Sequence, residues 1–147
     1  MCSSHATVRG LLHELDANED LVVVDTEASP EHLSRSTTEA VDVMLVVGEP
    51  YFKSLETARR YSGLGRDLGI PRVAMIANKV RDDNDRQVID EFCRLHDMEL
   101  FGVVPQDRGL VEAERLGVAP VDHDASGAGV SSIGDIAHKV LQLKATA

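Results

Sequence analysis

Cysteine is nearly absent: two residues in 147, Cys2 and Cys93, far apart in the chain. A disulfide framework needs more than that, and no signal-peptide pattern opens the sequence, so the expected compartment is a reducing cytoplasm. Long apolar runs are missing as well. None approaches the roughly 20 residues that cross a bilayer, which argues against a transmembrane helix and for a soluble protein. Cations are scarce: 15 Lys and Arg stand against 25 Asp and Glu, a formal net charge of -10. Nucleic-acid binding rests on clustered cations facing phosphates, so this balance argues against a nucleic-acid partner. No internal repeat and no second domain can be read. The expectation is one domain, residues 1–147, burying roughly two-thirds of the surface that the unfolded chain exposes.

What is present is alternation. Apolar runs rich in β-branched residues occur at 21–24, 41–47, 72–77 and 100–104, and segments with helical spacing at 7–15, 52–68, 85–96, 109–116 and 133–143. Strand alternating with helix predicts right-handed βαβ units and a parallel α/β sheet covered on both faces. The run "VDVMLVV" has lost the alternation of a half-exposed strand, as a doubly buried strand does. Gly69 and Gly117 follow helical segments and suit left-handed C-terminal caps. "DHDASGAGVSS", residues 122–132, reads as a mobile loop before the last helix. The run "RDDNDR" reads as a solvated turn in which Asp83, Asn84 or Asp85 can cap the next helix. Cys93 sits among apolar neighbours as a small buried hydrophobe.

In open α/β sheets, ligands bind outside the carboxyl ends of the strands. Four such ends can be read here: Asp25-Thr26-Glu27, Gly48-Glu49-Pro50, Asn78-Lys79 and Pro105-Gln106-Asp107. An acid at a buried strand's end, such as Asp25, is either a loop or cap residue or the group that holds Mg²⁺ and orients water at a nucleotide site. The Asn78 side chain offers a donor and an acceptor that suit a purine edge, or else it makes an Asn turn. Pro105 either punctuates a turn or presents a backbone carbonyl to the same base. Among the histidines, His13, His96 and His138 fall on helical segments in surface or core roles, and His123 lies in the acidic stretch "VDHD".

Together, "VVVDTEASPEHLSRSTTEAVDVMLVVGEP", "SLETARRYSGLGRDLGIPRVAMIANKV" and "LFGVVPQD" resemble the C-terminal half of the MinD/ParA-like P-loop ATPases, and among them the CooC type, which assists nickel insertion into carbon monoxide dehydrogenase. The resemblance implies a three-layer, Rossmann-like P-loop NTPase sheet that is incomplete at its N-terminal side. It implies ATP or ADP with Mg²⁺ as cofactors, an oligomer of identical chains, and a nickel enzyme as partner. Carried over by position, Asp25 matches the catalytic acid of the switch region near Mg²⁺, with Glu27 and His32 in the same stretch. Asn78 matches the adenine-reading residue, Lys79 follows it in the motif, and Pro105, Gln106 and Asp107 match the loop that closes over the base. "NKVRDD" lacks the aspartate of a guanine-reading motif, so adenine is the expected base. The opening "MCSSHATVRGLLHEL" is similar to a family segment in which a Cys-x-Cys pair holds a metal between two subunits. Cys2 then matches the second cysteine, a ligand for Ni²⁺ or Zn²⁺ at a dimer interface, with His5 able to join it; the plain alternative is a terminal thiol.

One family element has no counterpart in these 147 residues: there is no GxxxxGK[ST] and no "GKGG" variant. The glycine-rich loop is what cradles phosphates with backbone N–H groups and a lysine. Two function classes follow: a CooC-type ATPase represented by its C-terminal half and hydrolytically weak or inactive alone, or a non-catalytic interaction module or remnant that pairs with another chain. A phosphoreceiver-like domain has similar length and alternation, but Glu49-Pro50 and Asn78-Lys79 do not supply its acidic pair, acceptor aspartate and lysine. On the first reading, DNA upstream of Met1 is expected to encode a cysteine and, further upstream, a phosphate loop. The apolar edge of residues 21–24 is expected to drive dimers or aggregates. Adenine contacts alone leave a triphosphate unneutralised, and each tenfold of affinity lost is about 1.4 kcal/mol. Titration calorimetry of this chain with Mg-ATP is therefore expected to give a Kd no tighter than the high-micromolar range; a low-micromolar constant would reveal a phosphate cradle elsewhere in the sequence.

Overall fold

In a computed structural model of the chain, which describes residues 21–26 and 41–144, strands and helices alternate as the sequence pattern requires. They are β1 (Val43–Gly48), α1 (Phe52–Asp67), β2 (Arg72–Val80), α2 (Asp83–Leu95), β3 (Glu99–Pro105), α3 (Arg108–Leu116), a single turn α4 (Pro120–His123), and α5 (Ala128–Lys144). The strands form one parallel sheet in the order β1-β2-β3. Val43 is paired with Arg72 and Gly48 with Ala77 across the first ladder, and Ala74 with Glu99 across the second.

The period of two along β2 divides the core. Val73, Met75 and Ala77 face one cluster, with Leu55 and Ala58 of α1 and Ile89 and Cys93 of α2. Ala74 faces the other, with Phe101 and Val104 of β3 and Ile136 of α5. Helices thus cover both faces, and the doubly buried strand explains why β2 reads as an almost unbroken apolar run. Burial pushes the Cys93 thiol above its ordinary pKa, with Asp90 adding to the effect. The free Cys93 is an inert part of the core.

Helix ends follow local chemistry with one displacement. Gly69 closes α1 at φ 83° and Gly117 closes α3 at φ 67°, left-handed positions that suit glycine. The cap of α2 is Asp82, one residue before the expected group, and its carboxylate accepts the Asp85 N–H at 2.8 Å. The buried Asp85 carboxylate turns instead onto Arg81, accepting its backbone N–H at 3.0 Å and pairing with its exposed guanidinium.

Two expectations are corrected. Residues 21–24 form no strand; Leu21, Val22, Val23 and Val24 are 41–80% exposed. An extended apolar run becomes a strand only where a neighbour completes its ladder, and no described strand pairs with it. The open edges belong to β1 and β3, each of which pairs with β2 alone among the described residues. The second correction concerns the Gly-Ser stretch. Residues 120–123 make α4, with Pro120 in its first turn, and α5 starts at Ala128 rather than at Ile133. The early start has a tertiary cause: the Asp107 carboxylate accepts the Gly129 N–H at 2.8 Å, satisfying a first-turn donor from another element.

Close approach of α5 to the sheet depends on Gly102 in β3, where an added Cβ would lie 2.5 Å from Ile136 Cγ1 and 2.7 Å from its Cδ1. Gly102→Ala is expected to lower stability by about 1–3 kcal/mol through overpacking. Urea unfolding should show this as a lower midpoint at unchanged slope; an unchanged midpoint would mean that α5 can move away at no cost.

Candidate functional site at the strand ends

The carboxyl ends of β1, β2 and β3 meet at a cleft of about 260 Å³ lined by Glu49, Pro50, Tyr51, Lys79, Arg81 and Gln106. Each wall comes from the residues just at or after a strand. β1 ends at Gly48, where a Cβ would stand 2.7 Å from Met75 Cε and 3.4 Å from Ala58 Cβ, so α1 packs tightly beside the strand's last residue. The chain then turns at once. Glu49 N–H donates to Ser54 Oγ at 2.9 Å, Tyr51 N–H to the Glu49 carbonyl at 2.8 Å, and the Tyr51 carbonyl accepts the N–H groups of Ser54 and Leu55 at 3.0 and 3.1 Å. These bonds hold Glu49, Pro50 and Tyr51 in one conformation over the strand ends.

The second wall is a bulge. β2 runs on past its apolar stretch to Val80, and its register against β3 shifts between Ala77 and Val80. Lys79 has φ 57°, uncommon for a residue with a Cβ, and its N–H donates to Asn78 Oδ1 at 3.0 Å. This bond comes from the next residue's N–H and not from the one two residues on that an Asn turn uses, and the carbonyl oxygen keeps a second lone pair for another donor. Lys79 Nζ reaches Glu49 Oε1 at 2.8 Å. That hydrogen bond and the Glu49 charge raise the Lys79 pKa above its ordinary value. The pair is solvated, with side chains 58% and 32% exposed, so it adds little to stability while closing the ends of β1 and β2 together.

The third wall is Gln106, whose N–H donates to the Val80 carbonyl at 2.8 Å just after Val80 has paired with Pro105. Arg81 completes the lining, but its guanidinium is committed elsewhere: Nε lies 2.7 Å from Asp85 Oδ2 and Nη2 2.8 Å from Oδ1. These bonds hold the Asp85 carboxyl below the usual carboxylate range.

Of the residues singled out by the sequence, Lys79 and Gln106 line the cleft, and Asn78 and Pro105 lie next to them in the two strands. Asp107 stands apart. Its Oδ1 accepts the Gly109 N–H and its Oδ2 the Gly129 N–H, both at 2.8 Å, so one carboxylate caps α3 and ties it to the start of α5. Asp25 is exposed, outside any helix or strand, and is not among the lining residues. Cys2, His5, His13, Glu27 and His32 lie outside the described residues. His96 ends α2 with its ring 4.4 Å from that of Phe92, His123 Nε2 is 3.8 Å from Glu112 Oε2, and His138 is exposed. Among the described residues no group of three or more His, Cys, Asp or Glu is arranged to hold a metal ion, and no helix is long and apolar enough to cross a membrane. Tyr51 and Arg81 were missed. Their only sequence signal is position, one and two residues past motifs already noted.

No protein-family model matches the chain. It is 37% identical over 147 residues, 99% of this chain and 56% of the other, to an uncharacterized ATP-binding protein of Methanocaldococcus jannaschii. Against carbon monoxide dehydrogenase accessory protein CooC of Rhodospirillum rubrum it is 40% identical over 123 residues, 83% of this chain and 46% of CooC. The chain spans about half the length of the curated relatives it matches. Among solved structures, the septum site-determining protein MinD of Pyrococcus horikoshii, complexed with Mg-ADP, matches with a TM-score of 0.73 at 16% identity, over 95% of this chain and 57% of that one. At that identity the likeness concerns the fold, and the parallel α/β sheet is that of the MinD/ParA P-loop NTPases.

Removal of the shared cap should be felt at both helices. Asp107→Ala is expected to cost about 1–3 kcal/mol, the range for a charged acceptor that caps a helix, and Asp107→Asn, which keeps one acceptor oxygen, should cost less. Amide hydrogen exchange at Gly109 and Gly129 should accelerate together in Asp107→Ala; continued protection of both would show that the carboxylate is not their principal partner.

Proposed function

We propose, for a chain homologous to the C-terminal part of CooC and of MinD/ParA-type ATP-binding proteins, that the cleft at the strand ends receives the base of an adenine nucleotide. The observation that carries this reading is convergence. The Asn78-Lys79 and Pro105-Gln106 segments, which resemble the base-reading and base-closing motifs, adjoin one cleft, tied to each other by the Gln106–Val80 bond and to β1 by the Lys79–Glu49 pair. In this reading the Asn78 amide nitrogen donates to a ring nitrogen of the base, while Oδ1, already holding the Lys79 N–H, uses its second lone pair on the exocyclic amine.

Size and charge favour the base over the phosphates. A cleft of about 260 Å³ lies below the roughly 300–1,000 Å³ of sites for drug-sized ligands. Both of its cations are neutralised, Lys79 by Glu49 and Arg81 by Asp85. An uncharged heterocycle fits such a lining better than a polyanion does. Magnesium that accompanies a nucleotide is held chiefly by phosphates and one or two carboxylates; Asp25 is the carboxylate assigned to it here, with orientation of the attacking water as its chemistry. This chain's own sequence has no lysine-bearing phosphate loop, so binding rather than hydrolysis is proposed for the chain alone.

The wider role proposed with it is CooC-like: assistance to carbon monoxide dehydrogenase in the cytoplasm, with nickel as cargo and Cys2 as a thiolate ligand for Ni²⁺ or Zn²⁺ between two copies. A second reading, a module that pairs with another chain, is favoured by one observation. The outer edge of β1 has no partner among the described residues, and Val47 on it is 60% exposed.

The test is an ¹⁵N amide titration of the full chain with adenosine in the millimolar range. The amides of Asn78, Lys79 and Gln106 should shift together and saturate, and Asn78→Ala should weaken binding by about tenfold, one charge-free hydrogen-bonding site's worth. Absence of those shifts, or the same shifts produced by tripolyphosphate, would sink the base assignment.

A further inference from the structure

Tyr51 is the one aromatic side chain of the cleft, and its placement serves no core. The chain has two tyrosines, three phenylalanines and no tryptophan. Tyr61 and Phe92 pack against the cluster under α1 and α2, and Phe101 belongs to the cluster under α5. Tyr51 is 54% exposed, and among the described residues no ring pairs with it. Its backbone, by contrast, is fixed. At φ -141° and ψ 150° it precedes the first turn of α1, with its N–H on the Glu49 carbonyl and its own carbonyl on the N–H groups of Ser54 and Leu55. An exposed ring on an anchored backbone, Tyr51 joins Pro50 in giving apolar surface to a cleft whose other lining residues are the Lys79–Glu49 pair, Arg81 and Gln106.

We propose that Tyr51 is the stacking platform of the cleft: a planar heterocycle, of purine class, lies against its ring while Asn78 and Gln106 engage the edge of the same heterocycle. The inference rests on the reading of the cleft as a base site and adds to it the residue that supplies affinity. Every base has a π face, so stacking strengthens binding without choosing among bases, whereas hydrogen bonds at the edge discriminate. Anchoring of the Tyr51 backbone by α1's first turn means that little order is lost when the base arrives. The roles of Tyr51 and Asn78 are therefore separable. Loss of Tyr51 weakens adenosine and guanosine alike, and loss of Asn78 changes their ratio.

The experiment uses the full chain with ¹³C-labelled tyrosine, which yields two ring systems, Tyr51 and Tyr61. On titration with adenosine the Tyr51 ring signals should move upfield, with cross-relaxation to the adenine H2 or H8 proton. The half-buried Tyr61 ring, packed in the core, should stay in place as an internal reference. Tyr51→Ala should weaken adenosine and guanosine by about tenfold each, Tyr51→Phe should keep the wild-type affinity, and Phe52→Ala, at the more exposed neighbouring ring (74%) outside the cleft, should change nothing. If adenosine shifts the Asn78, Lys79 and Gln106 amides while the Tyr51 ring does not move, or if Tyr51→Ala binds as wild type does, the stacking role is wrong and the base reading stands. If those amides do not shift at all, both fall together.

Discussion

The burial of β2 on both faces and both edges is the constraint from which the rest follows. Met75 and Ala77 have no exposed surface and Ala74 has 1%. A strand so enclosed needs a neighbour on each side for its backbone groups and a helical layer on each face for its side chains. β1 and β3 supply the first; α1 with α2, and α5 opposite, supply the second. Parallel pairing then brings all three carboxyl ends to one side, which is the only reason that Glu49, Lys79 and Gln106, far apart in the chain, line one cleft.

At that cleft the chain spends its charge on itself. Lys79 is paired with Glu49 and Arg81 with Asp85, and the nearby Asp107 carboxylate is taken up by the backbone of two helices. These pairings leave a lining of small net charge with hydrogen-bonding amides and one presented ring, in a protein whose formal net charge is -10. The chemistry proposed for such a lining is recognition of a neutral heterocycle. Phosphate recognition calls for unpaired cations or a row of free N–H groups, which this lining does not offer. The chain spans about half the length of the curated relatives it matches.

Much of this was legible locally. The three paired strands, the spans of α1, α2 and α3, the αL glycines at 69 and 117, and the inert Cys93 are consequences of periodicity, capping and hydrophobicity within a few residues, and the sequence carries those terms directly. The ends of β1 and β3 were legible for the same reason, since their apolar runs stop where the strands do, whereas β2 continues past its apolar stretch to Val80. What the sequence could not carry were effects whose second partner is remote. Residues 21–24 have the composition of a strand, but a ladder needs an adjacent strand, and adjacency is not a local property. The Gly-Ser stretch reads as a loop until Asp107, more than twenty positions earlier, captures Gly129 N–H and starts α5 there. Tyr51 looks like an incidental aromatic until packing of α1 against β1 and β2 sets it beside the cleft. Composition and spacing by themselves determined the α/β class, the helix stops and the ends of β1 and β3, because each depends on interactions within one turn or one strand. Tertiary structure alone decided which ends share a cleft, that Lys79 meets Glu49 there and that Asp107 also caps α5, because each of those depends on two groups that the chain brings together only by folding.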